Sequence, residues 1–233
     1  MNTVNNFYCS SGVKAFTEQY DNPKYGEKHY IPIPFRSILV GSSGSMKTNT
    51  LMNIIKRMSK TFDHIILCCK SSHEPLYQWL IDKLKDNIDV YEGGDIPDLN
   101  DVDNNYKDCQ VLAIFDDLVN DKAANQQITE WYIRSRKCCK GVSCMYISQN
   151  YYSVPKIIRS NTNLLFLKKL SSTRDLTLIL SENNLANVDI KLFKKLYKEC
   201  TTKKEDFMMI DIDNNTIYHN FMKNITPPDE FDI

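Results

Sequence analysis

Short, unbroken apolar runs recur along the chain with helix-period segments between them, and this alternation constrains the fold more than any other feature. The runs are Phe35–Val40, His64–Cys69, Ile88–Tyr91, Val111–Phe115, Val142–Ile147 and Leu164–Leu167. They are too short for helices and, in the main, apolar on both faces of a strand's two-residue period, as strands buried on both sides must be. Between the first two runs, Leu51, Ile54, Ile55 and Met58 fall at helical spacing within 50–60. Leu76, Leu80, Ile81 and Leu84 repeat the pattern within 74–85, and 127–138 reads as another helix. The Asp- and Asn-rich stretch 95–108 reads as loop. The alternation predicts an α/β fold: a mostly parallel central sheet flanked by helices, with its ligand at the carboxyl ends of the strands.

Outside that core the pattern changes. Residues 1–34 are polar and aromatic and end in Ile31-Pro32-Ile33-Pro34, whose alternating prolines cannot belong to a central strand. This segment is expected to be an N-terminal arm, with 35–170 as the core. Residues 171–233 are expected to extend the same domain with two helices and a hairpin, Phe207–Ile212 and Thr216–His219 around Asp213-Asn214-Asn215. Phe7, Tyr8, Phe16 and Tyr20 in the arm are read as packing on the domain, the sharper alternative being an arm that runs from subunit to subunit.

Composition removes several classes. The 233 residues suit one globular domain, and 29 basic against 29 acidic residues give no net charge, so any contact with DNA is expected to be local. No run approaches the ~20 apolar residues of a membrane span, and the first residues lack the basic and apolar regions of a signal peptide. A soluble intracellular protein with no membrane partner is expected. Eight cysteines without a C-x-x-C pair, and only four histidines, argue for buried reduced thiols in a reducing compartment rather than disulfides or zinc.

The chemistry is concentrated at strand ends. The first strand runs into Gly41-Ser42-Ser43-Gly44-Ser45-Met46-Lys47-Thr48, followed by Asn49 and the helix. Strand, glycine loop, Lys-Thr and helix is the order of a P-loop (Walker A): backbone N–H groups cradle the phosphates of ATP, Lys47 reaches the β and γ oxygens, and the Thr48 hydroxyl ligates Mg²⁺. Gly41 through Asn49 are therefore the candidate nucleotide-binding residues. Met46 stands where the pattern has glycine, which a side chain permits if its backbone angle is helical, and it is placed to crowd the nucleotide or slow turnover. The plain alternative is an ordinary βα turn.

The run Val111–Phe115 ends in Asp116-Asp117. An apolar strand delivering carboxylates to its tip is a Walker B element, with Asp116 holding Mg²⁺ through water and Asp117 polarising the attacking water. At least one extra strand lies between Lys47 and Asp116, which points to the additional-strand, catalytic-acid division of P-loop NTPases. The run Val142–Ile147 ends in Ser148-Gln149-Asn150, and the Gln149 amide is a candidate sensor that orients water beside the γ-phosphate. Arg134 and Arg136 project differently from their helix, so one can face a neighbouring subunit as a trans-acting finger, and Arg159 competes for that role. A capping role for the acids and a solvated basic face for the arginines are the plain readings beside these.

In this order, Gly41–Thr48, Ile114-Phe115-Asp116-Asp117, Arg134-Ser135-Arg136 and Tyr146-Ile147-Ser148-Gln149, the chain resembles the FtsK/HerA superfamily, and within it the poxvirus-type genome-packaging ATPases of large DNA viruses and virophages. The resemblance covers about 35–170. It implies an ATP-hydrolysing, Mg²⁺-dependent translocase that packages double-stranded DNA into a preformed capsid. It also implies a homo-oligomeric ring, commonly a pentamer or hexamer, a capsid or portal vertex as partner, and a place in the host cytoplasm, viral factory or virion. Members usually carry glycine at position 46. Lys137, Lys140, Lys168 and Lys169 are candidates to line a DNA channel, and the 63 residues after Leu170 are too few for a nuclease domain, so no DNA cutting is expected. Two other classes fit parts of the sequence: a P-loop small-molecule kinase acting on a nucleoside or nucleotide with Arg134 and Arg136 as a lid, and a nucleotide-binding assembly protein with little turnover.

Overall fold

The computed structural model describes residues 19–183, 185 and 188–228. The strands are β1 (Arg36–Val40), β2 (His64–Cys69), β3 (Ile88–Glu92), β4 (Val111–Asp116), β5 (Val142–Ser148), β6 (Leu164–Leu167), β7 (Met208–Asp211), β8 (Thr216–His219) and β9 (Lys223–Asn224). The helices are α1 (Lys47–Arg57), α2 (Pro75–Leu84), α3 (Leu99–Asn105), α4 (Lys122–Arg134), α5 (Lys156–Ser160), α6 (Thr173–Glu182) and α7 (Ile190–Cys200). Among the described residues the strands form one sheet in the order β3-β2-β4-β5-β1-β6-β7-β8-β9. The pairs from β3 to β6 are parallel, and the last three strands are antiparallel.

Alternation along each strand splits the core in two. Leu39, Leu67, Ile114 and Ile147 point to one face, covered by α1, α2 and the arm residues Ile31 and Phe35. Ile38, Val40, Phe115 and Tyr146 point to the other, covered by α3 to α7. Both faces are therefore dry, which is why the strands read as continuous apolar runs.

Two local readings are corrected. The stretch 95–108 contains α3, whose low-propensity Asp and Asn residues are held by the burial of Leu99 and Val102 and by the Asp98 side chain accepting from Asn100 N. Burying two such side chains contributes roughly 3 to 5 kcal/mol, enough to outweigh the local cost. The helix expected over 127–138 begins at Lys122, where the Asp121 side chain caps Ala124 N, and closes at Arg134 into a 3₁₀ turn, Ser135–Lys137. As expected, strands stand in sequence between Lys47 and Asp116: β2 and β3, which lie beyond β4 at the edge, while β5, which follows Asp116 in the chain, is the strand inserted between β1 and β4.

The C-terminal hairpin continues the central sheet: β7 pairs antiparallel with β6, Leu164 opposite Asp211. Of the arm, residues 19–34 lie against the core, with Asp21 N donating to Gln110 Oε1 at 2.6 Å and Tyr30 N to Phe221 O at 3.1 Å. Phe7, Tyr8 and Phe16 lie outside the described residues. Among the described residues seven cysteines are free thiols, and no helix is long and apolar enough to cross a membrane.

Candidate active site

Strand β1 ends at Val40, and its neighbours fix the loop that follows. Gly41 N donates to Ser148 O at 3.2 Å and Ser42 N to Lys169 O at 2.9 Å, so the loop starts between the tips of β5 and β6. Gly44 (φ 70°) and Met46 (φ 66°) both take the left-handed conformation. Met46 is therefore not in the helical backbone that would admit a side chain freely here. This position demands the backbone that glycine adopts without penalty, and a side chain there costs about 1–2 kcal/mol. Lys47, Thr48 and Asn49 then open α1, and their N–H groups have no carbonyl one turn earlier in the helix to bond.

The loop is built to hold an anion. Lys47 Nζ folds across it, donating to Gly41 O at 2.9 Å and Ser42 O at 3.3 Å. Burial lowers the pKa of Lys47, opposed by the carboxylates of Asp116, Asp117 and Glu74. The Ser45 hydroxyl is buried with no hydrogen-bond partner among the described residues. A buried orphan hydroxyl, unpaired helix N–H groups and a lysine in one turn fit phosphate oxygens.

Strand β4 brings Asp116 and Asp117 to the same end of the sheet. Asp116 is mostly buried, and burial raises its pKa to about 6; the Tyr77 hydroxyl and Lys47 oppose that shift, and Asp117 and Glu74 add to it. Tyr77 OH donates to Asp116 Oδ2 at 2.6 Å, and Thr48 Oγ1 donates to Glu74 Oε2 at 3.0 Å. Asp117 is exposed, leaves the strand through a left-handed backbone (φ 56°), and is fixed by its N–H to Ile147 O at 3.3 Å. Oxygen donors only, from Thr48, Asp116, Asp117 and Glu74, match a hard cation such as Mg²⁺. Among the described residues no three Asp, Glu, His or Cys side chains form a metal cage, and Mg²⁺ completes its shell with phosphate oxygens in such sites.

Gln149 is exposed at the tip of β5, and β5 lies between β1 and β4. Its place in the sheet is thus between the strand that leads into the phosphate loop and the strand that ends in Asp116. The chain beyond it is pinned by Asp175 of α6, a fully buried carboxylate that accepts from Tyr151 N and Tyr152 N, both at 3.1 Å.

The arginines are not at this end. Arg134 closes α4 and bonds Asn100 Oδ1 at 2.9 Å and Glu130 at 3.5 Å. Arg136, exposed in the 3₁₀ turn, lies near Arg36, the first residue of β1. Five residues of strand, roughly 16 Å, separate that edge from the loop, so neither arginine reaches the phosphate loop of its own chain. Arg159 is clamped within the chain. It holds Glu182 in two bonds of 2.8 and 2.9 Å, donates to the carbonyls of Tyr152 and Val154, and lies over the Tyr151 ring. A finger role for Arg159 would require breaking all of these.

Lys168 is corrected as a channel residue. It is fully buried, and its ammonium donates to the carbonyls of Lys204, Glu205 and Asp206 at 2.9, 2.8 and 3.0 Å. Lys137 and Lys169 are exposed, and Lys140 pairs with Asp21 at 3.3 Å. The large apolar cavity between α1 and α2, about 660 Å³ and lined by Met52, Ile55, Leu76 and Trp79, is not part of the phosphate loop.

Sequence reasoning missed Glu74 and Tyr77. Neither sits in a motif, and only the pairing of β2 with β4 puts the turn after β2 beside Asp116.

Comparison with known proteins bears on the family and the fold. A family model described as Poxvirus A32 protein matches residues 23–226. Comparison with curated proteins finds no significant match. The genome packaging NTPase B204 of Sulfolobus turreted icosahedral virus 2, solved with AMPPCP, superposes with a TM-score of 0.56 at 16% identity over 82% of this chain and 98% of that one. The DNA-packaging ATPase B204 of Sulfolobus turreted icosahedral virus gives 0.55 at 13% identity, over 80% and 97%. EssC ATPases 2 and 3 from Geobacillus thermodenitrificans give 0.54 at 10% identity, over 86% of this chain and 41% of that one. At these identities the superpositions establish the shared fold.

Proposed function

The chain belongs to the poxvirus A32 protein family, and from that membership and the geometry above we propose that it is an ATP-hydrolysing translocase that packages double-stranded viral DNA into a capsid. One observation carries the reading: three adjacent parallel strands, β1, β5 and β4, deliver Lys47 and Thr48, Gln149, and Asp116 and Asp117 to one edge of the sheet.

The residues take roles that follow from their placement. The N–H groups from Gly41 to Asn49 and the Lys47 ammonium bind the phosphates of ATP, Lys47 exchanging its loop carbonyls for phosphate oxygens. Thr48 and Asp116 would hold Mg²⁺, which would supply positive charge against the phosphate oxygens. Asp117, exposed beside Gln149, takes the proton of the attacking water, and Gln149 orients that water by its amide. The nucleotide site lacks a cationic group from the far edge of its own sheet, so Arg134 or Arg136 of a neighbouring copy serves as the finger, which requires a ring. DNA contacts are few per subunit and multiplied by the ring, in keeping with zero net charge. The activity moves DNA without cutting it.

The test is steady-state ATP hydrolysis with and without linear double-stranded DNA, with Lys47→Ala as the blank, at concentrations that assemble the ring. DNA-stimulated turnover lost in the blank supports the motor. DNA-independent phosphate transfer to a nucleoside, or nucleotide binding without turnover in the presence of ring and DNA, overturns it. Cleavage of the DNA that is lost on changing the chain's own acidic residues would overturn the non-cutting part.

A further inference from the structure

The first turn of α2 touches both residues that would hold the metal. Glu74 stands at the helix's N-terminal boundary, yet its side chain makes no capping bond to α2. Instead its Oε2 accepts from Thr48 Oγ1 at 3.0 Å, across 26 residues of chain. Three residues on, Tyr77 OH donates to Asp116 Oδ2 at 2.6 Å. Residues three apart share a helix face, so one turn addresses α1 through Thr48 and β4 through Asp116.

We propose that Glu74 and Tyr77 are positioning residues for the metal-bound nucleotide: Glu74 orients the Thr48 hydroxyl and Tyr77 orients the Asp116 carboxylate. The inference rests on the reading of Thr48 and Asp116 as the Mg²⁺-holding pair.

The chemistry is that of outer-sphere partners. A threonine hydroxyl has one proton and two lone pairs, and donating the proton to Glu74 turns a lone pair outward for a cation. The negative charge of Glu74 strengthens that oxygen as a donor. Asp116 has two oxygens; tying Oδ2 to Tyr77 leaves Oδ1 to face the metal or its water and restricts the carboxylate to one orientation. Tyr77 is 1% exposed, so its ring is locked by packing and the hydroxyl position is set before any ligand arrives. The plain alternatives are weaker. Glu74 makes no side-chain cap, and a tyrosine wanted only for bulk in this core could be phenylalanine without leaving a buried carboxylate oxygen unpaired.

The experiment separates metal from nucleotide. Affinity for Mn²⁺, read by its electron paramagnetic resonance signal in the presence of saturating AMPPCP, is measured beside affinity for a fluorescent ATP analogue in EDTA. The variants are Glu74→Ala, Glu74→Gln, Tyr77→Phe and Thr48→Ala. Glu74→Ala and Tyr77→Phe are expected to weaken Mn²⁺ by about 10-fold while metal-free nucleotide affinity stays within twofold. Glu74→Gln, which keeps an acceptor for the hydroxyl, recovers part of the loss. Glu74→Ala added to Thr48→Ala gives no further loss, because both remove one contact. Unchanged Mn²⁺ affinity in Glu74→Ala and Tyr77→Phe, with Thr48→Ala impaired, overturns the proposal and leaves the metal site standing. Equal losses of metal-free nucleotide binding would show a merely structural role and also overturn it. Full affinity in Thr48→Ala would instead sink the assignment of the metal pair itself.

Discussion

Gly41 and Lys168 meet at the tips of adjacent strands so closely that a Cβ on Gly41 would fall 2.5 Å from Lys168 Cβ and 2.5 Å from Ser45 Oγ. Lys168 cannot swing aside, because its buried ammonium is held by three carbonyls ahead of β7. Gly41→Ala is therefore expected to destabilise the fold by about 2 kcal/mol and to lower nucleotide affinity by displacing the loop. Urea unfolding read beside nucleotide titration checks both; an alanine tolerated within 0.5 kcal/mol of wild type (about the noise of a neutral surface change) would contradict the contact.

Met46 makes the opposite case. Glycine at this left-handed position relieves about 1–2 kcal/mol of backbone strain and gives back roughly 0.5–1 kcal/mol in the entropy of the unfolded chain. Met46→Gly should leave stability unchanged or raised by up to about 1 kcal/mol, and should raise ATP turnover by clearing a side chain from the loop. A variant both less stable and slower would show that the methionine is wanted there.

Asp116 sets an acid limit. Burial raises its pKa to about 6, above the usual ~3.9 of an unfolded aspartate. The folded chain thus binds its proton more readily, so this group's cost to stability is full above about pH 6 and fades as pH falls toward about 4. On the proposed role of Asp116 function runs the other way, since only the carboxylate would hold Mg²⁺. Nucleotide-dependent Mg²⁺ binding should fall off below about pH 6, less steeply at high metal concentration. Asp116→Asn should be inactive yet at least as stable as wild type at pH 8, by up to about 1–2 kcal/mol. A clear loss of stability in Asp116→Asn would mean the charge is compensated by more than Tyr77 and Lys47.

The arginines separate by what they hold. Arg159→Ala leaves Glu182 and two carbonyls without their partner and is expected to cost about 2–4 kcal/mol. Arg134→Ala and Arg136→Ala, on exposed side chains, should stay within about 0.5 kcal/mol of wild type. If one of the latter pair is the finger, its variant is inactive alone and lowers the activity of mixed rings more than in proportion to its share. It should also be rescued in mixtures with Lys47→Ala, where each subunit supplies what the other lacks. No rescue for either arginine would remove both.

The parts legible from sequence were contiguous ones. Gly41–Thr48 declares itself because every contact of a phosphate loop comes from consecutive residues, and Asp116-Asp117 and Gln149 because each ends an apolar run at a place the β/α alternation predicts. Glu74 and Tyr77 could not be read, since their value depends on β2 lying next to β4, a pairing of residues almost 50 apart. The helix α3 was hidden by its own composition: only burial of Leu99 and Val102 makes that Asp- and Asn-rich segment helical. Lys168 looked like a surface charge because a sequence does not show the three carbonyls that solvate it. The backbone state of Met46 is likewise set by the loop around it rather than by methionine.

Strand β5 is buried along all seven residues and runs in register with β1 on one side and β4 on the other. Its last residues accept from both neighbours, Ser148 O from Gly41 N and Ile147 O from Asp117 N, while its first residue follows the turn that carries Arg136. A strand so laced cannot slip by one residue without turning its core face to the wrong side. It behaves as a stiff rod with an arginine-bearing handle at one end and a glutamine at the other. In a ring as proposed, a push delivered to the start of this strand would find no soft segment along it in which to dissipate, and would reach the loop and the acidic pair together.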